Sequence, residues 1–186
     1  MKSLILTTIN ASDRLIQAKK EVSKLGYEAE PYYAIKNQNA KLSFNLSMQD
    51  IVRNTDEPLA MFEDDVWIKE CAHYETALSQ LPSDWELCYI GGNIIGEYKR
   101  YSDNLFTVNG CWTTHAVLYN NPKKLCGHYD QMDIMFDDWL LKYIQPNLKS
   151  FIISPMIAWQ RPHYSELYNH HADYVSIFDG SANKIL

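Results

Sequence analysis

The sequence predicts an α/β fold, with helices flanking a mixed, mainly parallel sheet. Two observations carry that prediction. The chain opens as strand, helix, strand, the unit from which such sheets are built. Further on, Leu59-Ala60-Met61-Phe62 is a short apolar run bounded by Pro58, the pattern of a buried strand, and it ends in three consecutive carboxylates, Glu63-Asp64-Asp65. In open α/β sheets, ligands bind at the carboxyl ends of the strands.

Each element follows from local pattern. Residues 3–9 form an apolar first strand, with Asn10 as the turn after it. Ser12 or Asp13 can cap a helix reaching about Leu25, with Leu15, Ile16, Val22 and Leu25 on one face and Gly26 ending it. Residues 27–34 read as a strand interrupted at Pro31, and residues 43–54 as a helix with Leu46, Ile51 and Val52 apolar. A helix from Lys69 to Leu81 is stopped by Pro82, and Leu87 to Ile90 is a strand closed by Gly91-Gly92. Residues 93–110, rich in tyrosine and turn formers, read as a hairpin or a mobile loop. Trp112 to Tyr119 reads as one strand, Asn121-Pro122 as the start of a short helix, Asp137 to Tyr143 as another helix and Phe151 to Ile153 as the last strand. From Arg161 onward the chain is polar and aromatic. With no internal repeat and no long linker, residues 1–186 are expected to form one domain.

Composition narrows the function. A hydrophobic content of 46% indicates a globular chain, and thirteen tyrosines with five tryptophans supply faces that suit sugars or nucleobases as well as the core. The formal charge of −6 argues against a broad nucleic-acid surface, which needs a basic stripe. Cys71, Cys88, Cys111 and Cys126 form no Cys-x-x-Cys pair, so zinc-ribbon and thioredoxin-like readings fail and free thiols are expected. No apolar stretch is long enough to span a membrane, and residues 1–6 lead into a strand rather than a signal peptide. The expected location is the cytoplasm.

The acidic triplet has two readings. It is a solvated turn after a strand, or a buried cluster that needs a cation, because burying unpaired carboxylates costs several kcal/mol or more. Hard oxygen ligands suit Mg2+ or Mn2+, and a site with open positions suits a ligand bringing phosphate oxygens.

Four clusters, read together, resemble glycosyltransferase family 25, the lipopolysaccharide and collagen-type galactosyltransferases of GT-A fold. Ile9-Asn10 with Arg14 matches the family's first strand end and following Arg. Leu46-Ser47 matches its Leu-Ser-His helix start, with Met48 where the family has His. Glu63-Asp64-Asp65-Val66 matches its acidic block. Pro82-Ser83-Asp84-Trp85, Gly91-Gly92, the strand at Thr113-Thr114-His115-Ala116, Asp137-Asp138-Trp139, Gln160 and Ser165 follow in the family's order.

That resemblance implies a soluble metal-dependent, inverting hexosyltransferase using a nucleotide sugar, UDP-linked, with a saccharide hydroxyl as acceptor and a place in lipopolysaccharide biosynthesis. It assigns Asp65 to the metal and Glu63 to the nucleotide or the metal, with Asp64 on the cofactor or turned into protein hydrogen bonds. Thr8, Asn10, Arg14, Ser47 and Asn93 are further cofactor contacts, Arg14 pairing either with phosphate or with a carboxylate. His163 is a further metal ligand or a surface histidine. Asp138, with Asp137 beside it, is the base that takes the acceptor proton, or else a helix cap. His115, inside an apolar strand, reads as a buried structural histidine. The alternatives are transfer to hydroxymethylated DNA bases, a non-catalytic saccharide or nucleotide binder of the same fold, and a metal-dependent phosphohydrolase.

Overall fold

A computed structural model describes residues 1–131, 134–165 and 168–186. Its strands are β1 (Lys2–Thr7), β2 (Glu30–Tyr33), β3 (Leu59–Glu63), β4 (Val66–Ile68), β5 (Leu87–Tyr89), β6 (Asn93–Arg100), β7 (Leu105–Trp112), β8 (Ala116–Tyr119), β9 (Ser150–Ile153), β10 (Ala158–Gln160), β11 (His163–Ser165) and β12 (His170–Ala172). The helices are α1 (Ser12–Ser23), α2 (Ala40–Arg53), α3 (Tyr74–Ser79), α4 (Phe136–Trp139) and α5 (Val175–Lys184), α4 running on into a π-helical turn. A 3-10 helix spans Pro122–Gln131.

The central sheet has the order β2-β1-β3-β8-β5-β9-β7-β6. Following the pairings across it, β1, β2, β3, β5, β6 and β9 run one way, and β7 and β8 the other. The sheet is therefore mixed and mainly parallel, as expected. Helices cover both faces, so its strands bury both sides. Along β3, Leu59 and Met61 enter one core layer while Ala60 and Phe62 enter the other, and β8 alternates likewise. Each such large side chain contributes roughly 1.5–3 kcal/mol by leaving water.

Several boundaries differ from the pattern reading, each for a local reason. Ala11, not Ser12 or Asp13, sits at the cap position of α1, with no side-chain cap bond. On that helix Ala18 and Val22 are buried, whereas Ile16 is 54% exposed. Gly26 does close the helix, at φ +82°, a conformation open to glycine without strain. Pro31 is tolerated inside β2 because that strand lies at the sheet edge. The helix expected from Lys69 shrinks to α3, since the Glu70 carboxylate accepts the backbone N–H groups of Cys71 and Ala72 and holds a turn there. Residues 93–110 do form a hairpin. Its strands shift register between Ile94 and Glu97, where a Cβ on Gly96 would stand 2.1 Å from the Asn109 carbonyl oxygen. Gln145 ties the ribbon down: its Oε1 accepts from Gly110 and Cys111 N–H (2.9 and 2.7 Å), and its Nε2 donates to the Tyr89 hydroxyl (2.8 Å).

Two corrections bear on function. The strand expected from Trp112 to Tyr119 breaks at Thr113, which has φ +75°. The tail from Arg161 onward, read only as polar and aromatic, forms the antiparallel pair β11 and β12 and helix α5. No helix among the described residues is long and apolar enough to cross a membrane. All four cysteines are free thiols.

Candidate functional site

β3 delivers the acidic triplet to the carboxyl end of the parallel strands. The chain then turns through Asp64 and Asp65 into β4, which leaves the sheet to pair with β10. That turn separates the three carboxylates by role. Asp64 faces back into the protein: Thr7 Oγ1 donates to its Oδ2 at 2.6 Å, and an Arg14 guanidinium nitrogen lies 3.5 Å from the same atom. Arg14 thus pairs with a carboxylate in this structure while also lining the larger cleft.

Asp65 is held from the C-terminal segment. Gln160 Nε2 donates to its Oδ2 at 3.1 Å, His163 Nδ1 lies 3.4 Å from that oxygen, and Arg161 N–H donates to the Asp65 carbonyl at 2.8 Å. The other carboxylate oxygen, Oδ1, is buried and takes no hydrogen bond. Burial raises the Asp65 carboxyl to about 6, against the opposing pull of His163 and with Asp64 adding to the rise. Glu63 accepts from Thr114 Oγ1 at 2.8 Å, and burial together with the Asp65 charge pushes its carboxyl well above the usual range.

Two clefts meet at these acids. The larger, about 740 Å3, is lined by Thr8, Asn10, Arg14, Tyr33, Lys36 and Phe44 among others. The smaller, about 150 Å3, is bounded by Asn93, Trp112, Asp137, Tyr168, Tyr174 and Phe178. Phe44, Glu63, Asp65, His163 and Ser165 belong to both. His163 Nδ1 is 2.9 Å from the Arg161 carbonyl, which can only accept, so Nδ1 carries a proton.

The remaining expected residues divide. Thr8, Asn10 and Asn93 reach the clefts; Asn93 Oδ1 also accepts from Ser181 at 3.2 Å. Ser47 lies outside both, its hydroxyl accepting from Ile35 N–H at 2.8 Å and donating to the Ser43 carbonyl at 2.7 Å. Met48, where the resembled family has His, is packed into the core. Of the paired acids, Asp137 lines the smaller cleft, and the Asp138 N–H donates to Asp137 Oδ1 at 3.0 Å. Burial, and then the Asp138 charge, raise the Asp137 carboxyl to about 6. His115 is buried against Phe178, and burial lowers it to about 4, so it is a neutral structural ring.

Pattern reading missed Tyr33, Lys36 and Phe44 on the larger cleft and Trp112, Tyr168, Tyr174 and Phe178 on the smaller. The spacing of Tyr174, Ile177, Phe178, Ser181 and Ile185 was the available signal for an amphipathic helix in the tail.

A divalent cation fits the donor set, because Asp65 Oδ1 is a buried hard oxygen with no hydrogen bond, and burial with the Asp64 charge disfavours leaving Asp65 ionised alone. Among the described residues, no group of three or more His, Cys, Asp or Glu side chains could hold a metal by itself. A cation here would complete its shell with water and phosphate oxygens, the usual manner of Mg2+.

No protein-family model matches the chain, and no curated protein matches it in sequence. Solved structures do match in fold. The protein A197 from STIV superposes with TM-score 0.53 at 12% identity, over 92% of this chain and 93% of that one. A glycosyltransferase involved in glycosylation of the major capsid of PBCV-1 superposes with TM-score 0.52 at 11% identity, over 83% of this chain and 81% of that one. The class these likenesses define is one of architecture: a Rossmann-like α/β sheet of GT-A type.

Proposed function

We propose that this chain is a metal-dependent, inverting glycosyltransferase that moves a hexose from a UDP-linked sugar to a saccharide hydroxyl, with family 25 as the placement its ordered motifs favour. The observation that carries the reading is the unbonded Oδ1 of Asp65 at the junction of a nucleotide-sized cleft and a smaller aromatic one. The fold neighbour described as a glycosyltransferase involved in glycosylation of a major capsid supports the same class of chemistry.

In this reading the larger cleft takes the nucleotide. Tyr33 and Phe44 offer ring faces to a base, and Arg14 and Lys36 offer cations to the diphosphate. A bound Mn2+ or Mg2+, held by Asp65 and Glu63 with His163 Nε2 in reserve, would neutralise charge developing on the leaving diphosphate. The acceptor enters the smaller cleft, and Asp137 takes its hydroxyl proton. The acceptor oxygen bonds to the anomeric carbon as the bond to the diphosphate breaks on the opposite face. A carboxyl near 6 is ionised at neutral pH yet basic enough to accept that proton, the compromise general-base catalysis favours.

Calorimetric titration with a panel of nucleotide sugars, with Mn2+ and then with excess chelator, tests the proposal. One donor should bind with Mn2+, lose binding with chelator and lose it in Asp65→Ala. Failure of every donor to bind folded protein with metal present would refute the reading and favour a saccharide binder or a phosphohydrolase.

A further inference from the structure

Among the described residues, Thr113 is the one lining either cleft that occupies the left-handed backbone region, at φ +75°. A β-branched residue resists that conformation, and such outliers persist where the surrounding structure over-determines them. Here the surroundings are explicit. On one side β7 is pinned by Gln145 through Gly110 and Cys111. On the other, β8 pairs with both β3 and β5. The three-residue link between them, Thr113-Thr114-His115, also bonds to the end of β3 twice: Glu63 N–H donates to the His115 carbonyl at 2.9 Å, and Thr114 Oγ1 donates to Glu63 Oε1 at 2.8 Å. The Thr113 hydroxyl lies 3.3 Å from His115 Nδ1, which closes the turn on itself.

We infer that this turn is a positioning device for Glu63, with Thr114 as its working residue: its hydroxyl occupies Oε1 and orients the carboxylate so that Oε2 is presented to a ligand at the cleft junction. The inference deepens the reading above and rests on it only for the identity of that ligand. A partly buried carboxylate beside Asp65 and Asp137 is repelled by both. Without a fixed donor, nothing would favour the rotamer that keeps it among them. The Thr114 hydroxyl supplies that donor, and the strained link sets where the hydroxyl stands. Thr113 and Thr114 also line the smaller cleft, so the turn touches both the acceptor side and the carboxylate it orients.

Thr114→Val removes the donor and keeps the shape, while Thr114→Ser keeps the donor. Mn2+ affinity of the full chain is measured by the electron paramagnetic resonance of free Mn2+, in the presence of UDP, with thermal unfolding as a control for folding. The expected result is about tenfold weaker Mn2+ binding in Thr114→Val, the usual scale for losing a group that orients a metal ligand, with Thr114→Ser near wild type. Wild-type affinity in a folded Thr114→Val protein overturns the inference. Should wild-type protein bind no Mn2+, the metal reading fails on that result alone, and crystal structures of the two variants decide the positioning role. A Glu63 carboxylate turned away in Thr114→Val and restored in Thr114→Ser supports it, and an unmoved carboxylate in Thr114→Val overturns it.

Discussion

Replacing Asp137 by Asn should stabilise this protein at neutral pH and leave it unchanged in acid. The folded chain holds the Asp137 carboxyl near 6, mainly through burial and then through the Asp138 charge, against an ordinary value of 3.8. The folded state therefore binds the proton more tightly than the unfolded state does. Ionising Asp137 costs nothing extra below about 4, and the cost grows as pH rises through 4 to 6 and is complete above that. The difference of about two pKa units corresponds to about 3 kcal/mol at most, by 1.36 kcal/mol per unit. Solvent reaching the partly exposed side chain halves that to about 1.5 kcal/mol. For a chain of this length each kcal/mol moves the midpoint by about 2–4 °C. Thermal unfolding followed by circular dichroism should thus give Asp137→Asn a midpoint about 3–6 °C above wild type at pH 8, narrowing to no difference near pH 4. Asn can still accept the Asp138 N–H, so the local turn survives. No gain at pH 8, or the same gain at pH 4, would refute the electrostatic account. On the proposed reading activity should move the other way, because the group that burdens the fold is then the one that takes the acceptor proton.

Two further substitutions test the scaffold. Asn39→Ala removes the side-chain acceptor for Lys41 and Leu42 N–H (3.0 and 3.2 Å) at the start of α2, which should cost about 1 kcal/mol and lower the thermal midpoint by about 2–4 °C. Gly96→Ala drives a Cβ to 2.1 Å from the Asn109 carbonyl oxygen, a backbone atom that cannot swing aside; denaturant unfolding should show a loss of about 1–3 kcal/mol.

The parts of this molecule legible in its sequence are those in which one residue type had one physical use. Leu59 to Glu63 could only be a buried strand ending in charge, and the structure places it between β1 and β8. The roles of Glu63, Asp64 and Asp65 were less legible, because adjacent acids differ only in where the turn after β3 aims them. The same holds for Asp137 and Asp138: neighbours in sequence, they are told apart by which one reaches the smaller cleft. Thr113 left no trace, since Trp112 to Tyr119 is as apolar and β-branched as an unbroken strand and a one-residue kink has no periodicity. Helix α5 was hidden by Gly180 and by a run of Ser, Asp and Asn; its buried face rests on Phe178 and Ser181. Met48 shows the opposite limit: its departure from the family pattern was visible at once, but its place in the core was visible only in the fold.

The charges around the site constrain what can bind there. Glu63, Asp65 and Asp137 all border the smaller cleft, and burial raises all three carboxyls. Of the cationic groups around the site, Arg14 is on Asp64, Arg161 donates to the Val66 carbonyl at 3.1 Å and stands 3.7 Å from Glu21, and His163 shares its Nδ1 proton between a carbonyl and Asp65, while Lys36 lines the larger cleft. A nucleoside diphosphate arriving alone would set its charges beside Glu63, Asp64 and Asp65, with Arg14 already paired to Asp64 and Lys36 as a further cation on that cleft. A cation arriving alone would find two carboxylates and no third protein ligand of their kind. Each supplies what the other lacks, so on the proposed reading the two must bind with positive coupling, and linkage requires that each raise the affinity of the other by the same factor. Independent binding of Mn2+ and UDP, each with an affinity indifferent to the other, would contradict the proposed role of Asp65 even if both were ligands of the protein.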